Sequence, residues 1–270
     1  MRIALIITTY NRPEALEAVL DAYSCQIDPS FEILIADDGS SRSTKDLIDH
    51  YKERFSFGLQ HVWHEDRGFR AAAIRNRASL LTEADYLIFT DGDCIPDIHF
   101  VSSHRALAKA NRFVAGNRIL LSKSFTEQVL SQSLKLHRWS YRHWLHARFK
   151  GDINRLLPML RIDGLSRLRD LQPMRWQGVK TCNLAVWRED FLAVNGFDES
   201  YEGWGMEDSD LVIRLLRQGC RHRSARFMAC LFHLWHEEND RSSLAQNQAR
   251  LSKLLSEQGI KALRGLDQYL

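Results

Sequence analysis

The chain has 270 residues, is 44% hydrophobic and 26% charged, and carries a formal net charge of +3. Those values exclude global disorder and give no argument by themselves for a nucleic-acid partner. Its five cysteines (25, 94, 182, 220, 230) form no C-x-x-C pair, so reduced thiols are expected rather than a disulfide framework or a zinc site. From the N-terminus, IALIITT (3–9) is a continuous apolar run, the signature of a strand covered on both faces. The opening MRIALIITTYNRP carries no small-residue cleavage site, and no later apolar run approaches the roughly 20 residues of a membrane span. No signal peptide is therefore expected, and the reading is a cytoplasmic protein. Pro13 opens a helix running to about Cys25, and EILIADD (32–38) forms the second strand. Gly39-Ser40-Ser41 turns into a helix ending near Tyr51. LQHVWHE (59–65), AAAIRNRASLL (71–81) and DYLIFTD (85–91) then read as strand, helix and strand. Strands separated by helices predict an α/β fold with a Rossmann-like, mostly parallel sheet, whose ligands bind at the carboxyl ends of the strands.

Residues 122–177 break this pattern. The stretch reads as basic helix rich in Leu, Arg and aromatic residues, with eleven Lys and Arg against four Asp and Glu from Lys123 to Arg175, a local excess of +7. Beyond it, Thr181–Trp187 reads as a strand and Gly203–Asp208 as a turn feeding a helix over 210–218. ARFMACLFHLWH (225–236) reads as a last core strand, and from Asn239 the tail reads as mostly helical. The whole is expected to be one domain in four stretches: a first half (1–121), the insert (122–177), a second half (178–250) and a helical tail (251–270).

The strand ends carry the chemistry. No G-x-G-x-x-G follows the first strand, which disfavours a dinucleotide fold. Instead Thr8, Tyr10, Asn11 and Arg12 stand there. A uracil ring could stack on Tyr10, and Asp38 could accept a hydrogen bond from the base or ribose; alternatively Asp38 caps the helix after Gly39. Asp91-Gly92-Asp93 places two carboxylates at the ligand edge, where an extended backbone would point both the same way and a hard divalent cation would relieve their repulsion. Gly203-Trp204-Gly205 displays a tryptophan, and Glu207 and Asp208 follow near a helix N-terminus, where an ionised carboxylate can act as general base on an acceptor hydroxyl. His233 and His236 are expected on opposite faces of a strand, so that only one would complete a carboxylate metal site; imidazole with carboxylate suits Mn²⁺.

In this order, TTYNRP, IADDGSS, DRGFRAAAIRNRA, DGD, TCNLAVWR, GFDESYEGWGMEDSDLVIRL and FHLWHEEND resemble family 2 glycosyltransferases of the GT-A fold, in the branch of chondroitin polymerase and β-1,4-galactosyltransferase. The resemblance covers 1–120 and about 178–250, and it implies nucleotide-sugar binding in the first half (1–121) and acceptor binding and catalysis in the second (178–250). It implies nucleotide-sugar contacts at Thr8, Tyr10, Asn11, Arg12, Asp38, Arg70, Arg75, Asp91 and Gly92, with Asn183 as a donor-sugar contact. It implies Asp93 and His236 (His233 in reserve) as ligands of Mn²⁺ or Mg²⁺. Asp208 is the implied base, Glu207 holds the acceptor beside it, and Trp204 and Gly205 bind acceptor. The implied activity is inverting transfer from a UDP-sugar to a saccharide or lipid-linked saccharide acceptor of cell-surface polysaccharide or lipopolysaccharide core, forming a β-linkage. Two rivals are a sugar nucleotidyltransferase, which needs a Gly-rich loop that TTYNRP lacks, and a noncatalytic carbohydrate- or membrane-binding module, which needs no Glu207-Asp208 pair. The basic insert is expected to be either a solvated face with its aromatics packed inward or a docking face for an anionic acceptor or the inner face of an anionic membrane; nucleic acid is not expected.

Overall fold

A computed structural model of the chain describes all residues except 54, 56, 57, 165 and 167. The first half alternates as its sequence predicts: β1 (Ile3–Thr9), α1 (Pro13–Tyr23), β2 (Glu32–Asp37), α2 (Arg42–Lys52), β3 (Leu59–Trp63), α3 (Ala71–Leu80) and β4 (Tyr86–Asp91). The pairs β3–β2, β2–β1 and β1–β4 are parallel. The uninterrupted apolar runs have a direct cause. Ile3, Leu5 and Ile7 enter one core with Ile33, Ile35, Tyr86 and Ile88, while Ala4 and Ile6 enter a second core with Leu34, Leu87 and Phe89. A strand whose successive side chains both leave water has no polar face to show.

The central sheet is completed by segments that the apolar pattern does not announce. β5 (Cys94–Pro96), α4 (Phe100–Leu107), β6 (Arg112–Ala115) and β7 (Asn117–Leu120) follow β4, and later come β8 (Leu184–Trp187), α7 (Arg188–Ala193), α8 (Glu207–Gln218), β9 (Arg221–Ser224) and β10 (Cys230–His233). Seven strands run in the order β3-β2-β1-β4-β8-β6-β9, and β5-β10-β7 form a small second sheet. β8 is antiparallel to both its neighbours, so the sheet is mostly, not wholly, parallel.

Four expectations need correction. The strand expected over 181–187 is a 3-10 turn at Thr181–Asn183 followed by the four-residue β8. The strand expected over 225–236 is only β10. The chain before it turns through Phe227 at φ 61°, and its apolar residues are buried as loop, so burial without period 2 imitated a strand. Among the described residues the insert holds two helices, α5 (Lys123–Ser131) and α6 (Tyr141–Lys150), and the described residues of 151–180 are otherwise irregular with short 3-10 turns. Gly151, at φ 81°, ends α6, and Pro158 and Pro173 oppose helix beyond it. In the tail, α9 (Leu244–Ser256) lies largely before residue 251, and only a short 3-10 turn at Leu266–Tyr269 follows.

Candidate active site at the carboxyl edge of the sheet

The register brings the polar strand ends together. Thr8 pairs with Asp91 and Thr9 with Asp37 across β1. Gly92 N–H donates to Thr8 O at 2.7 Å, and a Cβ on Gly92 would stand 2.9 Å from Thr9 Oγ1, so only glycine lets the Asp91–Asp93 turn lie this close to β1.

On the β1–β2 side, Asp38 is buried. Its Oδ1 lies 2.6 Å from His64 Nε2, and its Oδ2 accepts from the Arg70 backbone N–H at 2.8 Å. It does not cap α2. Asp37 accepts the Ser40 N–H instead, which leaves Asp38 fixed at the ligand edge. His64 was not among the residues predicted for the site; its position just past β3, at the same edge as the other clusters, is the signal that marks it. Tyr10 is exposed and donates its hydroxyl hydrogen to Asp66 Oδ2 at 2.8 Å, while Asn11, at φ 47°, locks the loop to Ser40 and Ser41. The Arg70 side chain donates to Glu65 O and so lies along the same rim.

Arg75, buried on α3, ties three elements together. Its Nε donates to Thr8 Oγ1 at 2.9 Å, Nη2 lies 3.2 Å from Asp91 Oδ1, and Nη1 lies 3.4 Å from Glu207 Oε1. α8 begins at Glu207 rather than at 210, so Glu207 and Asp208 both occupy its first turn, preceded by Met206 in the left-handed region at φ 78°. Both carboxylates are buried. Burial, reinforced by the adjoining Asp208 charge and opposed by Arg75, pushes the Glu207 carboxyl up to about 7. Burial also pushes Asp91 up, against Arg75. Glu207 Oε2 is buried with no hydrogen-bond partner among the described residues. Asp208 Oδ2 accepts from Thr181 N–H at 3.4 Å and lies 3.7 Å from Lys180 Nζ, a cation the sequence reading passed over.

Asp93 has different company. Arg12 Nη1 donates to its Oδ2 at 3.1 Å, His236 Nε2 lies 3.5 Å from Oδ2, and His233 Nε2 lies 3.6 Å from Oδ1. The expectation that the two histidines separate is overturned. β10 ends at His233, the chain leaves extended pairing, and the two rings sit 5.2 Å apart on one side of Asp93. Burial pushes the His233 imidazole down to about 4, against Asp93. The Asp93 carboxylate, the His233 imidazole and the Cys94 thiol lie close enough together to share a divalent transition ion, with His236 beside the other Asp93 oxygen and Arg12 balancing part of the charge.

Asn183 is corrected as a donor-sugar contact. It is 0% exposed, donates to Asn117 O and Ala229 O, and its Oδ1 lies 3.0 Å from His104 Nε2. Its amide joins the two sheets instead of facing a ligand. Trp204 is half-buried with the Arg241 guanidinium 5.2 Å from its ring, and its loop rests on the start of α9: Asn247 donates to Glu202 O, and a Cβ on Gly203 would meet Ser243 Oγ at 2.6 Å. A cavity of about 340 Å³ opens behind Arg70, lined by Arg77, Tyr201 and Tyr269 and by none of the Asp91, Asp93 or Asp208 groups.

Residues 4–160 match the model of glycosyl transferase family 2, and residues 171–237 match that of the N-terminal domain of galactosyltransferase. The chain is 30% identical over 228 residues to a validoxylamine A glucosyltransferase of Streptomyces hygroscopicus subsp. jinggangensis, covering 80% of the chain and 52% of that protein. It is 26% identical over 237 residues to chondroitin synthase of Pasteurella multocida, covering 82% of the chain and 23% of that protein. The chain thus spans about half the length, or less, of these curated relatives. Among solved structures it is similar to a mannosyltransferase of Pyrobaculum calidifontis in complex with GDP-Man and Mn²⁺ (TM-score 0.63, 17% identity, 95% of this chain and 64% of that one). It is also similar to S. aureus TarS 1–349 in complex with UDP (TM-score 0.64, 12% identity, 99% of this chain and 68% of that one). The fold is that of the GT-A glycosyltransferases.

Proposed function

The chain belongs to glycosyl transferase family 2, and from that premise we propose that it moves a sugar from a UDP-sugar to a saccharide hydroxyl with inversion, forming a β-linkage. The observation that carries the reading is the convergence on one edge of Asp38, the Asp91-Gly92-Asp93 turn and the buried Asp208 at the start of α8. Tyr10, exposed beside Asp38, offers a face for uracil, and Asp38, held by His64 and the Arg70 backbone, accepts from base or ribose. Arg75 supplies positive charge between Thr8 and Asp91, where the diphosphate would lie. Asp93, His233 and His236 would hold Mn²⁺ or Mg²⁺, which when bound neutralises charge developing on the diphosphate leaving group.

Asp208 takes the proton of the acceptor hydroxyl. That oxygen bonds to the anomeric carbon from the face opposite the diphosphate, and the bond to the diphosphate oxygen breaks in the same displacement, so an α-linked donor gives a β-linked product. Lys180 and the α8 N-terminus surround Asp208 with positive potential, and Glu207, protonated in part near neutral pH, can donate to or accept from the acceptor. Trp204 offers its ring to the acceptor sugar. The acceptor is a saccharide or lipid-linked saccharide of the cell surface, met from the cytoplasmic side. Among the described residues no helix is long and apolar enough to cross a membrane.

A panel of UDP-sugars read by UDP release with Mn²⁺, with and without EDTA, tests the reading. One donor should stand out, EDTA should abolish the signal and Mn²⁺ restore it. Full turnover in EDTA would remove the metal from the proposal, and silence with every UDP-sugar would remove the donor.

A further inference from the structure

The insert divides into an anchored underside and an outward face. On α6, Trp144 and Ala147 are buried, and Trp144 stacks on Phe232 of β10 with ring centroids 4.2 Å apart. Phe232 adjoins His233, so α6 is fixed to the strand that carries one of the Asp93 partners. The other side of α6 shows Tyr141, Leu145 and Phe149, all exposed, Phe149 at 82%. At about 100° per residue these three fill an arc of about 80°. Arg142, His146 and Lys150 lie along one margin of that arc and Arg148 along the other. Lys135 and Arg161 in the same insert pair with Asp21 and Asp163, whereas Arg142, Arg148 and Lys150 form no ion pair among the described residues. Beside them a cavity of about 270 Å³ opens between α5 and α6. It has Phe125 and Trp139 in its wall, Arg142, His146 and Lys150 at its rim, and Asp152 as the one acid.

An exposed aromatic and leucine stripe costs free energy in water, and unpaired cations on both margins repel one another there. An anionic bilayer relieves both: the apolar side chains enter the headgroup–acyl boundary, the cations meet phosphates, and the cavity is wide enough to take a headgroup. We propose that the outward face of α6, with the adjoining α5–α6 cavity, docks the protein on an anionic phospholipid surface. Because Trp144 and Phe232 join α6 to β10, docking holds the Asp93 edge at a fixed height above that surface. The inference stands apart from the transfer chemistry, since binding is read without donor or acceptor.

Sedimentation with vesicles of phosphatidylglycerol in phosphatidylcholine, against phosphatidylcholine alone, tests it. Partitioning to the anionic vesicles should exceed that to neutral ones by on the order of tenfold or more and fall as salt rises. The triple change Arg142→Glu, Arg148→Glu and Lys150→Glu should abolish it. Leu145→Ser with Phe149→Ser should weaken it while leaving the salt dependence. All of these side chains are exposed, so thermal melting should be that of the parent protein. The proposal is overturned if neither vesicle binds, if both bind equally, or if the charge-reversed protein binds like the parent. It is equally overturned if size-exclusion chromatography shows a dimer that Phe149→Ser dissociates, because the stripe then belongs to a second copy.

Discussion

The Arg75 cluster and the α6 face both concentrate charge, and they use it in opposite ways. In the first, the cation and its main partners lie within hydrogen-bonding or ion-pairing reach: buried Arg75 meets Thr8, the half-buried Asp91 and the buried Glu207, and buried Asp38 meets His64 and the Arg70 backbone. On α6 the cations are exposed and form no ion pair among the described residues, and the apolar side chains between them face outward. A buried network fixes geometry at the expense of stability whenever one member is lost. An exposed face fixes nothing internally and is free to meet something else.

The strongest way to break that contrast is at the edge itself. Asp208→Asn keeps the shape but cannot take a proton, so turnover should fall on the order of 10²–10⁴-fold. Donor binding, followed by titration with UDP, should stay close to that of the parent. A lost UDP affinity with turnover per bound donor preserved would move Asp208 to the donor side. Next comes Arg75→Gln, which leaves buried Glu207 and half-buried Asp91 without their shared cation. A loss of about 3–5 kcal/mol is expected in urea unfolding, as for other buried pairs deprived of one partner. Trp144→Ala, which removes the ring stacked on Phe232, should cost about the same, roughly 3–5 kcal/mol, because it too is buried. If Trp144→Ala were mild, α6 would not be anchored and the insert would be exposed on both sides.

Smaller effects sharpen the comparison. The Glu207 carboxyl has a folded-state pKa of about 7 against an ordinary 4.5. The unfolded chain therefore releases this proton first as pH rises. The group's contribution is fully present below about pH 4.5 and is lost as pH climbs through about 7. Glu207→Gln should remove this downward slope between pH 4.5 and 7, seen by comparing melting temperatures of the two proteins across that range. An unchanged slope would assign the pH dependence to another group. The smallest effect is expected from Phe149→Ser, within about 0.5 kcal/mol of the parent in urea unfolding, since little surrounds this ring to be lost.

The first half of the molecule is legible in its residues alone. Runs such as IALIITT and DYLIFTD are legible because burial on both faces demands that every residue be apolar, and polar clusters directly after such runs must fall at one edge when the strands are parallel. On that ground Thr8, Asp38, Asp91 and Asp93 are expected at one edge, where the structure puts them, while the Glu207-Asp208 pair draws attention through its glycine-flanked turn and the resemblance. How side chains from distant segments share space is not legible in that way. Asn183 looked like a ligand contact, yet its amide is consumed by the backbone of Asn117 and Ala229, and no local pattern records which carbonyls will lie opposite it. His233 and His236 were read as divergent because strand geometry was carried past residue 233. The end of β10 is set by where β5 and β7 stop pairing, a fact of topology rather than of composition. The four-residue strands and the irregular path of the described residues of 151–180 escaped for the same reason: short elements owe their conformation to the surfaces they cover, and a hydrophobic period needs more residues than they contain.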